Sequence, residues 1–269
     1  MKDEVRKNRE LWNEITPIHL KSKLYDMESF RRGRCSLLPL EVEEVGDVTG
    51  ASLLHLQCHF GQDTLSWARR GAKATGMDFS PPAIDAARAL SKELKIDARF
   101  ICSDLYELSE HLEEEFDIVF ASAGVLCWLP DLPDWGRIIA RHLRPGGFFY
   151  LREFHPFAYC LDDAEDLEEP RLRYPYFHEG TALRFAGGQD GDYADPEALV
   201  QSDSHEWPYA LSKVIGALLD AGLALEFFHE FDWTSYRQFP FLEDRGDGLY
   251  RLPQLPGGFP LMFSLKARK

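Results

Sequence analysis

Between residues 50 and 155 short apolar runs alternate with amphipathic stretches, and few architectures accept that rhythm. Residues 52–57, Ser-Leu-Leu-His-Leu-Gln, read as a buried strand, Cys58-His-Phe-Gly61 as a tight turn, and residues 63–70 as a helix that Gly71 ends. Residues 73–77 form a second strand, closed by Asp78-Phe-Ser-Pro-Pro82. There Ser80 suits a helix N-cap and Pro81 the first turn. Residues 83–95 place apolar side chains at 84, 87, 90 and 94, a helical stripe. Strands over 98–103, 116–122 and 148–153 follow, with a helix over 132–143 that Arg144-Pro-Gly-Gly147 stops. Strand–helix alternation at this spacing predicts an α/β chain with a doubly wound parallel sheet.

Outside that stretch the pattern changes. Residues 1–50 read as a helical segment, with Trp12, Ile15, Ile18 and His19 at helical spacing and an interruption at Pro17. Over 155–207 the rhythm breaks: acids crowd 162–169, Tyr174, Tyr176 and Phe177 cluster, and glycines recur at 187, 188 and 191. Aromatics at that density argue for an inserted lid rather than a linker. A helix over 208–221 and strands over 223–231 and 259–267 resume the pattern.

Charge and cysteine usage narrow the partners. Thirty Lys and Arg stand against 45 Asp and Glu, a net charge of −15, which disfavours tracking nucleic-acid phosphates or docking on an anionic membrane. The five cysteines contain no Cys-x-x-Cys pair, so neither a zinc knuckle nor a redox dithiol is readable and no metal is expected. The charged N-terminus lacks the apolar core of a signal peptide, and the apolar run 118–130 is too short to span a bilayer, so a cytoplasmic protein is expected.

In an open α/β sheet the ligand lies outside the carboxyl ends of the strands. Three such ends are distinctive here: the Gln57–Gly61 turn, Asp78 and Asp104. A carboxylate about twenty residues after the first turn suits a ribose diol, and Asp78 stands 21 residues after Gln57. Asp104 could accept from an exocyclic adenine amine, so the two acids outline an adenosine-shaped slot. Alternatively, each simply caps the helix that follows. A dinucleotide would require Gly-x-Gly-x-x-Gly, which the bulky Gln57-Cys-His-Phe loop does not offer. Cys58 and His59 are adjacent in a strand-end turn, where side chains diverge, and make a poor nucleophile–base pair.

These segments resemble class I S-adenosylmethionine-dependent methyltransferases. Leu53-Leu-His-Leu-Gln-Cys-His-Phe-Gly61 is similar to their glycine-rich first motif, Gly76-Met-Asp78-Phe-Ser80 to the second, and Cys102-Ser-Asp104-Leu105 to the adenine-contact motif. Phe116-Asp-Ile-Val-Phe120 and Leu143-Arg-Pro-Gly-Gly147 are similar to the fourth and fifth. The whole chain also resembles a bacterial small-molecule subgroup, through Asn8-Arg9, Leu11-Trp-Asn13, the motif around Gly61 and Phe239-Pro-Phe-Leu242. The first motif departs from the pattern: His55 replaces the usual acid, and Gln57 and His59 replace two glycines.

The resemblance implies a Rossmann-like seven-stranded sheet, mostly parallel with an antiparallel C-terminal edge. It divides the chain into a helical cover (1–50), a cofactor-binding domain (51–154 with 208–269) and an inserted lid (155–207). It implies S-adenosylmethionine held by Gln57, Cys58, His59, Gly61, Asp78, Phe79, Ser80, Asp104, Leu105 and Ala121, with Tyr25 and Trp12 closing over it from the N-terminal segment. The implied reaction is methyl transfer to oxygen, nitrogen or sulfur of a small molecule. Trp128, Glu153 and Tyr176 are candidates for the acceptor pocket, and His155 for a general base should the acceptor lose a proton. A binding protein that holds the same cofactor without catalysis is the alternative, and the aromatics of 155–207 could instead form a homodimer surface.

Overall fold

The computed structural model describes residues 2–164, 166–178, 180–188, 191–255 and 257–269; Glu165, within the acidic run, and three further residues of the 155–207 segment lie outside them. Leu53 and Leu54 project to opposite faces of one strand, and both are inaccessible to solvent. That strand must therefore be covered on both sides. It is β1 (Ser52–His55), at the centre of a sheet that also contains β2 (Lys73–Asp78), β3 (Arg99–Cys102), β4 (Phe116–Ser122), β5 (Leu143–Phe154), β6 (Ala224–Phe231) and β7 (Met262–Arg268). The order is β3-β2-β1-β4-β5-β7-β6, seven strands, with β7 antiparallel to both of its neighbours. The order reverses at β1 and β4, and a doubly wound sheet opens its crevice there.

The helices are α1 (Lys2–His19), α2 (Met27–Arg31), α3 (Pro39–Val45), α4 (Gln62–Arg69), α5 (Pro81–Leu94), α6 (Leu108–His111), α7 (Leu132–His142) and α8 (Leu211–Asp220). Trp135 of α7 and Val214 of α8 pack on one face of the sheet against Leu54, Val119 and Phe149. Trp67 of α4 packs on the other, against Leu53, Phe120 and Tyr150, and α5 continues that layer with Ile84 and Leu90 around Phe100. Ser80 caps α5 through its side chain, which accepts from the Ala83 amide, and Pro81 opens the first turn. No described helix is long and apolar enough to cross a membrane.

Two sequence expectations are corrected, and one feature was not anticipated. Helix α1 runs through Pro17, because a proline so near the helix end removes one internal bond only. Arg144-Pro-Gly-Gly147 does not precede β5 but lies within it, as an irregularity that shifts the register against β4 between Phe116 and Ile118. Most consequential, a second insertion follows β6. Trp233–Thr234, Glu243–Asp244 and Tyr250–Arg251 form a small antiparallel sheet, where nothing beyond an irregular approach to the last strand is legible in the sequence.

Residues 155–207 also carry short antiparallel pairs, Leu183–Phe185 with Ser204–Glu206 and Gly191–Asp192 with Asp195–Leu199. The two insertions share a satellite core: Ala158 and Leu161 of the first pack with Phe239, Phe241, Leu242 and Leu252 of the second.

Where α7 crosses α8 there is no room for a side chain at Gly136: a Cβ there would stand 2.3 Å from the Ala217 carbonyl oxygen. Gly136→Ala is expected to cost about 1–3 kcal/mol, the usual range for overpacking. Gly216→Ala, within α8 and facing open space, should instead gain roughly 0.5–1 kcal/mol. Urea midpoints of the two variants check both signs.

Candidate functional site

Outside the carboxyl ends of β1, β2 and β4 lies a cavity of ≈ 510 Å³. Its floor is the loop between β1 and α4. Gln57, His59 and Gly61 have φ of 53°, 51° and 79°, so three alternate residues adopt the left-handed conformation. Only the last is a glycine. Side chains occupy the other two positions at a strain of about 1–2 kcal/mol each, and the side chains themselves offset it. Gln57 Nε2 donates to the Val125 carbonyl (3.0 Å), and the His59 ring meets Trp12, His19, Tyr25 and Phe60 at centroid distances of 4.1–5.5 Å. Gln57 Oε1 and His59 Nε2, on residues that line the cavity, are buried with no hydrogen-bond partner among the described residues. Burial drives the His59 imidazolium form well below its ordinary range, so the ring is neutral.

Asp78 ends β2 on the cavity wall. One carboxylate oxygen accepts the His59 amide (2.9 Å) and the other the Ser80 amide (2.9 Å), which fixes the plane of the group. Burial raises its pKa to about 6 against the opposing pull of those amides. Asp104 also lines the cavity; its Oδ1 accepts the Tyr106 amide at 2.9 Å, and desolvation raises its pKa. His55, where the resemblance expects an acid, faces the cavity with Nδ1 2.8 Å from Thr64 Oγ1. Burial pushes its pKa down to about 4, which leaves it uncharged. A carboxylate does line the same wall eight residues further on: Asp63, in the first turn of α4, which accepts from Ser122 Oγ at 3.1 Å. The sequence marked Asp63 only as a helix start.

Tyr25, Cys58, Phe79, Leu105 and Trp128 line the cavity together with Gln57, His59, Gly61, Asp78 and Asp104. Ser80 and Ala121 do not: Ser80 is occupied with capping α5 and donates to Asn13 Oδ1 at 2.8 Å, while Ala121 is fully buried within the sheet. His155 is not a base poised in the cavity. Its Nδ1 accepts the Phe157 amide (3.0 Å) and its Nε2 lies 3.1 Å from Glu230, away from the cavity lining. Tyr176 is also outside, its hydroxyl accepting the Leu211 amide. Glu153 serves the site indirectly. Its buried carboxylate accepts the amides of Gly124, Val125, Leu126 and Phe154, and so shapes the loop after β4 that walls the cavity.

Beyond that loop the lining becomes aromatic, with Trp12, Trp128, Tyr159, Tyr193 and Tyr236 joined by one carboxylate, Glu206. Trp12 and Trp128 meet edge to face at 5.4 Å, and the hydroxyls of Tyr25 and Tyr193 lie 2.5 Å apart. Tyr159, Tyr193 and Glu206 come from the first insertion and Tyr236 from the second. None carries a periodicity or motif that sequence reasoning could use.

Comparison with known proteins fits this geometry. Residues 54–151 match the family described as "Methyltransferase domain". A ubiquinone biosynthesis O-methyltransferase of Alkalilimnicola ehrlichii is 31% identical over 124 residues, 43% of this chain and 50% of that one. The chain thus spans about half the length of this curated relative. An S-adenosylmethionine-dependent methyltransferase structure from Mesorhizobium loti superposes with a TM-score of 0.61 over 89% of this chain and all of its own, at 20% identity. The cyclase SpnF superposes with a TM-score of 0.57 over 97% of this chain and 94% of its own, at 18% identity, so the fold by itself does not fix the reaction.

Because Glu153 satisfies four backbone amides, Glu153→Leu should leave them unpaired at roughly 1–3 kcal/mol each. A loss of at least about 3 kcal/mol is expected by chemical denaturation, with Glu153→Gln costing less.

Proposed function

We propose that this chain, whose residues 54–151 match the methyltransferase-domain family, transfers the methyl group of S-adenosylmethionine to oxygen, nitrogen or sulfur of a small molecule held among the aromatic side chains of the cavity. The observation that carries the reading is the continuity of one cavity, with strand-end carboxylates at one end and a tryptophan–tyrosine wall at the other.

The residues present suit the cofactor. Asp78 holds a carboxylate in fixed orientation, each oxygen keeping a lone pair for a ribose hydroxyl, and Asp104 has an oxygen free of protein donors for an adenine amine. Gln57 Oε1 offers an acceptor to the amino-acid portion, and the neutral His59 ring a donor or an acceptor at Nε2 according to its tautomer. A neutral His59 and a neutral His55 place no positive charge beside a sulfonium. When bound, the cofactor supplies an electrophilic methyl carbon. The chain's part is to align the acceptor's lone pair with it and exclude water, for which about 7–11 kcal/mol is available in favourable cases. In this reading residues 155–207 cover the acceptor end through Tyr159, Tyr193 and Glu206.

A non-catalytic binding protein would use the same carboxylates but would not need the aromatic end. A thermal-shift comparison of S-adenosylhomocysteine with NAD, followed by transfer of labelled methyl to a panel of small acceptors, separates the readings. Stabilisation by NAD alone would sink both.

Asp78→Ala is expected to weaken S-adenosylhomocysteine at least about tenfold, since charge-assisted bonds contribute roughly 1.5–3 kcal/mol each. In the wild type the hydroxyls favour the ionised carboxylate, so binding lowers a pKa that stands at about 6 in the free protein. Affinity should be level above that pH and fall towards about tenfold per unit below it. Calorimetry from pH 5 to 8 reads this directly; a flat profile would remove Asp78 from the ribose.

A further inference from the structure

Glu206 ends the short strand Ser204–Glu206 and lines the aromatic end of the cavity. Its position is fixed from two sides. Asn8 of α1 exchanges two hydrogen bonds with the backbone of His205 (2.7 and 2.8 Å), and the Trp207 amide donates to the Cys127 carbonyl in the loop after β4 (2.7 Å). Its own bonding is thin: Ser204 Oγ stands 3.4 Å from Oε1, and Oε2 has no hydrogen-bond partner among the described residues. Among the described residues, the groups near enough to exchange electrostatic influence with it are Cys127, Tyr159, Asp163, Tyr174 and Tyr236. None is a cation. A carboxylate among rings, without a positive partner and with one oxygen free, is costly to maintain unless a ligand brings it a proton donor.

We propose that Glu206 is the general base of this site, receiving the proton that a ring-borne hydroxyl or amine loses as it is methylated. The inference rests on the methyl-transfer reading above and narrows it to acceptors whose reacting atom carries a proton. The balance closes: the acceptor's lone pair forms the new bond to the methyl carbon, and the carbon–sulfur bond breaks with its electron pair on sulfur. The acceptor's proton moves to Glu206 and then to water. Stacking surfaces from Trp12, Trp128 and the tyrosines suit a flat ring, and the Glu206 carboxylate among them disfavours an anionic acceptor. Burial also raises the Glu206 pKa to about 7, and a base is most effective when its pKa lies near the working pH.

The test uses the full chain, saturated with S-adenosylmethionine so that Asp78 does not shape the profile. Probes are a phenol, a catechol and an aniline, with a thioether and a tertiary amine as acceptors that have no proton to lose. Transfer to the proton-bearing probes should rise with pH through about 7 and then level. Glu206→Gln should lower kcat by about 10²–10⁴-fold and abolish that rise, leave S-adenosylhomocysteine affinity within about twofold, and be partly rescued by Glu206→Asp. A second readout needs no turnover. A nitrophenol bound to the S-adenosylhomocysteine complex should ionise at higher pH in the wild type than in Glu206→Gln, because the carboxylate opposes a second negative charge. Transfer within about threefold of wild type in Glu206→Gln overturns the inference. So does an unshifted nitrophenol, transfer to the proton-free probes alone, or no transfer to any proton-bearing probe. A wild type that fails to bind S-adenosylhomocysteine overturns the methyl-transfer reading instead.

Discussion

Both oxygens of the Asp78 carboxylate accept backbone amides, one from the loop that follows β1 and one from the residue that caps α5. A single buried group thus joins two strand ends and a helix start at the point where the sheet reverses its order. Burying it costs free energy, visible in its raised pKa, and the two amides offset only part of that. What remains is a rigid, correctly aimed acceptor with unused lone pairs. The floor of the cavity, the position of His59 and the entry angle of α5 all follow from this arrangement.

The loop tied to Asp78 shows how backbone shape can outlast the residues that usually permit it. Gln57 and His59 occupy left-handed conformations that glycine takes freely. Each replaces the lost freedom with a contact: a hydrogen bond from the Gln57 side-chain amide to the Val125 carbonyl in one case, a ring cluster with Trp12, His19, Tyr25 and Phe60 in the other. At Gly61 no such exchange is available. A Cβ there would stand 2.7 Å from the Phe100 ring of β3 and 3.0 Å from Ala87 of α5, so close packing of the loop against both keeps that position a glycine. The same side chains that strain the loop also bring polar atoms, Gln57 Oε1 and His59 Nε2, to a surface that glycines would have left bare.

Local signals made the central sheet legible. Apolar runs, glycine stops and the Ser80-Pro81 cap fixed β1 to β4 and their helices within two or three residues, since each depends on neighbours in sequence. The strand-end lining of the cavity was legible for the same reason: Asp78, Asp104 and Gly61 sit at strand ends and turns. The aromatic lining was not. Glu206, Tyr236 and Tyr159 reach the cavity through tertiary packing, from segments whose strands are two to five residues long and carry no period. His155 and Glu153 misled because adjacency to a strand end says nothing about direction; one turns to Glu230, the other to backbone amides.

The wall that these segments build is one structure rather than several independent covers. Helix α1 binds the first insertion at three levels along one face: Asn8 to His205, Glu14 to the amides of Gln201 and Ser202, and His19 to Asp192. Asn13, on the same helix, accepts from Ser80 at the start of α5. Among the described residues the second insertion makes no hydrogen bond to α1; it packs through the shared core of Phe239, Phe241 and Leu242 with Ala158 and Leu161, and through Tyr236 against Phe154 and Tyr193. Displacing α1 would therefore loosen the first insertion, and with it the second, while leaving the sheet intact. The aromatic end of the cavity is consequently the part whose geometry is set by the most contacts distant in sequence, and Asp78 and Asp104 the part set by the fewest. A chain organised in this way can reshape the aromatic part of its cavity by changing its insertions, without disturbing the carboxylates at its strand ends.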